Sequence, residues 1–383
     1  MATLAKIGAA FASLTLGGIC TFPLSAAGQQ REELPTSPTL PKRVYGMSGT
    51  PCVIRFDSVV YSPITGAILF NVEGAAGAQY NDYFLWHPKK KEDGKAVNMQ
   101  IHSGANFGLL KELQIELIFS DQSTIAAQGN IRWLAIGDSL TVPAFYIEQT
   151  LQILKKDVPS VQVNAAGTKH PEGKEELKHE GRGGWTWKRY FQEFSSNPAT
   201  SSPFVFKSDK GNNFDFSRYL REHHSGRPPE IITIFLGAND VYGTAAKFDR
   251  ERMTESLNTA VAMVEKIRKD APESAIGIIP PPPPSEQNGF GVNYQNGVTE
   301  WQYRRAMQYY IAGLLERFDG RWNERIYIVP GYLGFNAATA YPMASGRAQN
   351  ALHPQADGFK PMSAALSAWM VHLLSSGAVR PQP

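Results

Sequence analysis

The stretch Ile131-Arg132-Trp133-Leu134-Ala135-Ile136-Gly137-Asp138-Ser139-Leu140 decides the fold class. Its first six residues are mostly apolar, which is typical of a buried strand. A glycine and a serine follow at the carboxyl end of that strand, and a helical pattern begins shortly afterwards. In an open α/β sheet, ligands bind beside the carboxyl ends of the strands. The same residues also fit an ordinary strand-to-helix turn, in which serine is common.

From residue 129 onwards, strand patterns alternate with helix patterns. Strands are predicted at 131–136, 161–166, 231–236, 275–280 and 326–330, and helices at about 144–156, 250–269, 301–318 and 359–375. Such alternation favours a mostly parallel sheet covered by helices on both faces. We therefore predict an α/β fold, a three-layer sandwich with a mostly parallel sheet.

Three further segments carry groups suited to chemistry at a serine. The predicted strand 231–236 ends in Gly237-Ala238-Asn239-Asp240, and residues 180–186 form a glycine-rich turn. Near the end of the chain comes Asn350-Ala351-Leu352-His353-Pro354. Acyl transfer through serine needs a nucleophile, a base and hydrogen-bond donors for the oxyanion. Candidates for these roles are Ser139, His353, the backbone N–H of Gly184 and the side chain of Asn239.

The order and spacing of these four blocks resemble the GDSL (SGNH) hydrolases, a family of esterases and lipases. The resemblance covers about residues 129–383. It implies that Ser139 is the nucleophile, that His353 is the base, and that Ser139, Gly184 and Asn239 form the oxyanion hole. No GxSxG elbow occurs in the chain, which argues against the α/β-hydrolase fold.

The chain departs from the family pattern at Asn350, where the family usually has an aspartate. An aspartate beside the imidazole fixes its tautomer and stabilises the imidazolium. The carbonyl of Asn350 can accept the same N–H without supplying a full charge. Alternatively, Asp357 or another acid orients His353. Asp138 and Asp240 are predicted to be structural.

Two aromatic residues are predicted to bind substrate. Trp185 follows the glycine turn, and Tyr294 follows the five prolines Pro280–Pro284, which would form a stiff arm over the sheet edge. Packing in the core is the alternative for the tryptophan, and an ordinary surface loop is the alternative for the arm.

Residues 1–27 have the pattern of a secretory signal peptide: Lys6, an apolar run and the small residues Ser25-Ala26-Ala27. An uncleaved membrane anchor is the alternative. Residues 28–42 form a predicted linker. We therefore expect a secreted or periplasmic protein without stable membrane insertion after cleavage. Once residues 1–27 are removed, Cys52 is the only cysteine, so no intrachain disulfide can form.

Residues 43–127 are predicted to form a small accessory β-sandwich, because strand patterns recur at 53–60, 67–72 and 113–119. Tyr83, Trp86 and Phe107 could form platforms for carbohydrate or belong to the core. The domain with the resemblance would then span 129–383.

The formal charge of +3 gives no case for a nucleic-acid partner. The chain has no zinc or nucleotide motif, so neither a metal nor a cofactor is expected. The resulting hypothesis is an exported serine esterase that hydrolyses small acyl esters, acetyl above all, on carbohydrate. A lipase or thioesterase of the same family and an inactive glycan-binding protein are the alternatives.

Overall fold

The computed structural model describes residues 34–64, 66–74, 76–125, 128–209, 211–285 and 297–382. The predicted signal peptide, the start of the predicted linker and Tyr294 lie outside these residues.

A sheet of six parallel strands forms the centre of the molecule. Its strands are β8 (Gly129–Gly137), β9 (Val161–Ala166), β10 (Glu180–Gly181), β13 (Ile231–Phe235), β14 (Ala275–Ile278) and β15 (Ile326–Ile328). The predicted α/β class with a mostly parallel sheet is therefore confirmed. The five strands predicted from residue 129 onwards are all present, and their ends differ from the predicted ones by at most two residues.

Helices connect and cover these strands. They are α1 (Phe56–Val59), α2 (Phe145–Asp157), α3 (Trp187–Gln192), α4 (Phe216–His224), α5 (Ala238–Tyr242), α6 (Arg250–Asp270), α7 (Glu300–Phe318) and α8 (Lys360–Ser375). The four predicted helices correspond to α2, α6, α7 and α8. The helix α7 begins with a capping box, in which the Thr299 hydroxyl accepts from the Gln302 N–H and the Gln302 side chain accepts from the Thr299 N–H.

Alternate side chains of each strand enter two different core layers. In β8, Leu134 and Ile136 join the layer of α6 and α7, whereas Ile131 and Trp133 join the layer of α2 and α8. The same alternation occurs in β13, β14 and β15. Because successive side chains of a strand point to opposite faces, a sheet covered on both faces needs apolar residues throughout. This explains why the strand sequences are continuous apolar runs.

The order of the strands reverses beside β8. The chain passes from β8 to β9 on one side, and then returns to β13, β14 and β15 on the other side. In parallel sheets with this order, the crevice for a ligand lies at the carboxyl ends of the two strands where the order reverses. Here those strands are β8 and β13. The short strand β10 pairs with the carboxyl end of β8 and brings the glycine-rich turn to the same edge.

The region before residue 129 contains two smaller sheets. One has the order β1–β7–β6–β3 and the other β2–β5–β4. Their strands are β1 (Arg43–Met47), β2 (Cys52–Arg55), β3 (Ile68–Glu73), β4 (Ala78–Gln79), β5 (Tyr83–Trp86), β6 (Lys95–Ser103) and β7 (Leu109–Ser120). The β1 strand runs parallel to β7, and the other pairs are antiparallel. The region is rich in β-strands, as predicted, and its arrangement as a sandwich stays a prediction.

The remaining strands of the described residues form two antiparallel pairs. They are β11 (Val205–Ser208) with β12 (Gly211–Phe214) and β16 (Met343–Ala344) with β17 (Arg347–Ala348).

The prediction of a strand over 53–60 is wrong in its second half, where the chain forms the helical turn α1. Contacts from distant residues hold this turn. The Thr39 N–H donates to the Val59 carbonyl at 2.9 Å, and the Gln308 side chain donates to the Ser58 carbonyl at 3.1 Å. The β-branched residues Val59 and Val60 favour a strand locally, but tertiary contacts override that preference.

The turn α1 is also joined to α7 by a buried arginine. Arg304 is 5% exposed, and its guanidinium donates to the Asp57 carboxylate at 2.7 Å. It also lies over the Tyr61 ring, 4.4 Å from the centroid. The Tyr61 hydroxyl in turn donates to Glu300 of α7 at 3.0 Å. These contacts fix the early part of the chain to the α/β core.

Residues Leu34–Pro383 form one compact unit by their contacts. Apolar side chains of the two smaller sheets belong to the same core cluster as those of α6 and α7. The division at residues 127–129 into an accessory domain and a catalytic domain thus stays a prediction from the sequence. Among the helices of the described residues, none is both long enough and apolar enough to cross a bilayer.

We predict that Arg304→Met lowers the free energy of unfolding by about 1–3 kcal/mol, because it removes the partner of partly buried carboxylates. Urea denaturation measures this value. The matched control is Arg317→Met on the same helix, whose partner Glu316 is 81% exposed. That change should cost less than about 1 kcal/mol. Equal losses for the two variants would contradict the stabilising role of Arg304.

Candidate active site

Three predicted site residues form a chain of hydrogen bonds at the carboxyl edge of the large sheet. Ser139 lies in the turn after β8, and its Oγ is 2.8 Å from His353 Nε2. The His353 Nδ1 is 3.1 Å from the Oδ1 of Asn350. His353 and Asn350 lie in the segment between β17 and α8. The structure therefore brings together side chains that are 214 residues apart in sequence.

The orientation of the Asn350 amide follows from its neighbours. Its Oδ1 lies 2.9 Å from the backbone N–H of Leu352 and 2.9 Å from that of His353. Backbone N–H groups can only donate, so the carbonyl oxygen must face them. The same oxygen faces His353 Nδ1, which must then carry the ring proton. His353 Nε2 is left as an acceptor for the Ser139 hydroxyl, which is the tautomer that a general base requires.

Burial lowers the pKa of His353 below its usual value near 6.5. A buried imidazolium loses hydration, so the neutral ring is favoured. Asn350 contributes the dipole of its carbonyl but no formal charge. The neutral base is therefore available at lower pH than for an exposed histidine.

Asn239 connects the three segments at this edge of the sheet. It lies in the first turn of α5, directly after β13. Its Nδ2 donates to the Asp138 carboxylate at 3.0 Å and to the Trp185 carbonyl at 3.0 Å. Both partners are acceptors, so the NH₂ side of the amide must face them. Gly237, before α5, has a φ of 125°, and a Cβ there would lie 2.7 Å from the Tyr310 ring.

Asp138 is 1% exposed and accepts the backbone N–H of Leu140 at 2.9 Å. Burial raises its pKa to about 7, while the Leu140 N–H and Asn239 partly offset this effect. The neighbouring acid Asp240 is also buried, and burial raises its pKa to about 6, while a hydrogen bond from Ser256 lowers it. The hydrogen bonds of the two carboxylates within the described residues include those from Leu140 and Asn239 to Asp138 and from Ser256 to Asp240. Their positions agree with the structural roles expected for them.

Gly184 occupies the third position of a turn that the Trp185 N–H closes onto the Arg182 carbonyl at 3.3 Å. Its φ of 73° falls in the left-handed region, which explains the glycine. The residue is exposed at the same edge as Ser139. The turn follows β10, whose Gly181 pairs with Gly137, two residues before Ser139.

A buried polar cluster around Glu180 supports this turn, and sequence reasoning missed it. Glu180 is fully buried, pairs with Arg182 at 3.0 Å, and accepts from the Tyr219 hydroxyl at 2.9 Å and the Thr168 N–H at 2.8 Å. The Tyr190 hydroxyl donates to the carbonyl of Gly137 at 2.9 Å. A charged residue inside a glycine-rich segment reads as solvent-exposed, so no signal indicated its burial.

Trp185 packs in the core, which is the alternative that the sequence offered for it, and its role in substrate binding stays a prediction. Its side chain is only 4% exposed and lies against the Tyr190 ring and the Arg189 guanidinium. Asp357, the alternative partner of His353, is instead exposed and pairs with Lys360 at 3.0 Å. Within the described residues, no group of three or more His, Cys, Asp or Glu side chains is arranged to hold a metal ion.

The sequence matches no protein-family model and no curated protein. Among solved structures, it resembles an acetylxylan esterase from Geobacillus stearothermophilus, with 16% identity, 67% of this chain and 100% of that chain covered, and a TM-score of 0.37. It also resembles a carbohydrate esterase of family 3 from Talaromyces cellulolyticus, with 14% identity, 64% and 99% coverage, and a TM-score of 0.38. These TM-scores are too low to assign an activity.

We predict that Asn350→Asp keeps activity and raises the pKa of His353, because a carboxylate favours the imidazolium. An NMR pH titration of the histidine ring measures the pKa. Asn350→Ala should lose most activity, since the proton on Nδ1 then lacks its acceptor. Asp357→Asn is the control and should leave turnover and the His353 titration unchanged. The reverse pattern would assign the orienting role to Asp357.

We also predict that Asn239→Ala lowers kcat by roughly 10²–10³, the usual cost of losing one oxyanion donor. KM should change much less, because the donor acts on charge that develops in the transition state. Steady-state kinetics on a chromogenic ester separates the two constants. A change confined to KM would place Asn239 in ground-state binding.

Proposed function

We propose that this protein is a serine esterase that works through an acyl-enzyme on Ser139. The observation that carries the proposal is the hydrogen-bonded series Ser139 Oγ, His353 Nε2, His353 Nδ1 and Asn350 Oδ1. A nucleophile, a base and a group that orients the base are the minimum set for nucleophilic catalysis at serine. Asn239 and Gly184 lie at the same edge of the sheet as candidate donors.

In the proposed reaction, Ser139 Oγ attacks the ester carbonyl carbon while His353 Nε2 takes the hydroxyl proton. The carbonyl oxygen becomes an oxyanion, which the backbone N–H groups of Ser139 and Gly184 and the amide of Asn239 stabilise. The C–O bond to the alcohol then breaks, and the alcohol leaves with the proton from Nε2. Water, deprotonated by the same nitrogen, hydrolyses the acyl-serine and releases the acid. Asn350 holds the ring in place throughout.

The proposed enzyme is exported, and its proposed substrate is a small acyl ester, acetyl above all, on carbohydrate. Support comes from the signal-peptide pattern of residues 1–27 and from the β-rich region before residue 129. The tryptophans beside the glycine turn give no support, because Trp185 and Trp187 are buried. The proposal of a carbohydrate substrate therefore rests on sequence features, whereas the proposal of ester hydrolysis rests on the geometry of the site.

An inactive glycan-binding protein is the alternative that the missing aspartate suggests. The geometry weighs against it, since Asn350 accepts the same ring N–H that an aspartate would accept. A lipase or thioesterase with the same residues would differ in the acyl chain that it prefers.

A screen of chromogenic esters with increasing acyl length tests the proposal. We predict turnover that is highest for acetyl and that Ser139→Ala abolishes. A fluorophosphonate should label the wild type and the control Ser376→Ala, an exposed serine, but not Ser139→Ala. Preference for long chains would support a lipase or thioesterase. An unlabelled, inactive wild type that still binds acetylated xylan would favour the glycan-binding alternative.

A further inference from the structure

Asp138 joins the nucleophile turn to the predicted oxyanion donor. Its Oδ1 accepts the N–H of Leu140, the residue after Ser139, at 2.9 Å. Its Oδ2 accepts from the Asn239 amide at 3.0 Å. The carboxylate is almost completely buried, so rotation of either partner away from it would leave a buried acceptor without a hydrogen bond. One side chain therefore sets the relative position of two catalytic segments.

The Asn239 amide has two hydrogens, and both have acceptors. One faces the Asp138 carboxylate and the other faces the Trp185 carbonyl, each at 3.0 Å. An oxyanion that approaches this amide must share one of them. A hydrogen bond to a carboxylate is roughly twice as strong as one to a neutral carbonyl. The hydrogen facing Trp185 is thus the one that can be recruited at lower cost.

We propose that Asp138 is a positioning residue: it anchors one hydrogen of the Asn239 amide, so that the other is presented to the oxyanion. This inference rests on the proposed function and deepens it. The Asp138 carboxylate accepts from Leu140 and Asn239, so its proposed effect on the reaction passes through Asn239. The anchored amide is a preorganised donor, whose orientation does not have to change as charge develops on the substrate.

A double-mutant cycle in the full-length protein tests this inference. Asp138→Ala should lower kcat on a p-nitrophenyl acetate substrate by roughly 10²-fold, with a much smaller change in KM. In the Asn239→Ala background the same change should lower kcat by less than about 10-fold, because only the hydrogen bond from the Leu140 N–H then remains to be lost. Independent, multiplicative losses in the double mutant would overturn the inference.

Asp138→Asn is the second variant, in case the alanine variant does not fold. Leu140 and Asn239 donate to different oxygens of the Asp138 carboxylate, and an amide replaces one of those oxygens by an NH₂ group, which cannot accept. We expect an intermediate loss in kcat with KM nearly unchanged. In the Asn239→Ala background, Asp138→Asn should lower kcat much less than it does in the wild type. Thermal unfolding verifies that each variant is folded.

Asp319→Asn provides a control for the loss of a hydrogen-bonded carboxylate away from the site. Asp319 accepts the Lys42 N–H at 2.7 Å and lies before β15, at the opposite edge of the sheet. Its loss should leave kcat unchanged and should combine additively with Asn239→Ala. An equal loss of kcat in Asp319→Asn would assign the effect of Asp138 to general destabilisation and overturn the inference.

The rate of fluorophosphonate labelling of Ser139 supplies an independent readout, since attack on phosphorus also generates an oxyanion. The labelling rate should fall in each single variant, and Asp138→Ala should lower it much less when Asn239 is already alanine, as for kcat. A wild type that neither turns over the ester nor reacts with the probe would overturn the proposed function and this inference together. An active wild type with additive losses would overturn the inference alone.

Discussion

The reversal of strand order between β8 and β13 is the constraint on which the candidate site depends. Parallel strands point their carboxyl ends to one edge, and the reversal leaves that edge open between two neighbouring strands. Ser139 follows the first of them and Asn239 the second. The apolar runs that bury both faces of the sheet fix these two positions, because a shift of one residue would exchange the faces of every side chain. The geometry of the site is therefore a consequence of how the core packs.

The sequence predicts those parts of the fold in which a periodic pattern coincides with burial. Long or continuous apolar patterns in the sequence correspond to the strands β8, β9 and β13 and to the helix α6. The predicted ends of these elements lie within two residues of the observed ends. Burial of Trp185 is one of the two alternatives that the sequence leaves open, and the turn α1 could not be predicted, because the distant residue Gln308 holds it. Local propensity has no access to such contacts. The pairing of Ser139 with His353 is expected from the residue types that acyl transfer needs and from the family resemblance, since the two residues are far apart in sequence.

Two buried carboxylates near the site, those of Glu180 and Asp138, each accept hydrogen bonds from several donors. Glu180 has an arginine, a tyrosine and a backbone N–H, and Asp138 has a backbone N–H and an amide. Burying a charge without such partners would cost several kcal/mol. The two donors to Asp138, the Leu140 N–H and the Asn239 amide, belong to the segments that carry the candidate site residues Ser139 and Asn239. The hydrogen bonds that offset the burial of this carboxylate therefore also join these two segments.

The same burial has opposite effects on the two titratable groups of the site. It lowers the pKa of His353 and raises that of Asp138 to about 7, because it favours the neutral form of each. A carboxylate at position 350 would have offset the effect on the histidine, but Asn350 supplies only a dipole. His353 is consequently a weaker base than in a triad with an acid, yet its neutral form persists to lower pH. General-base catalysis is most effective when the pKa of the base lies near the working pH. In the proposed mechanism, Asn350 therefore leaves neutral His353 available at a lower pH than an aspartate at this position would.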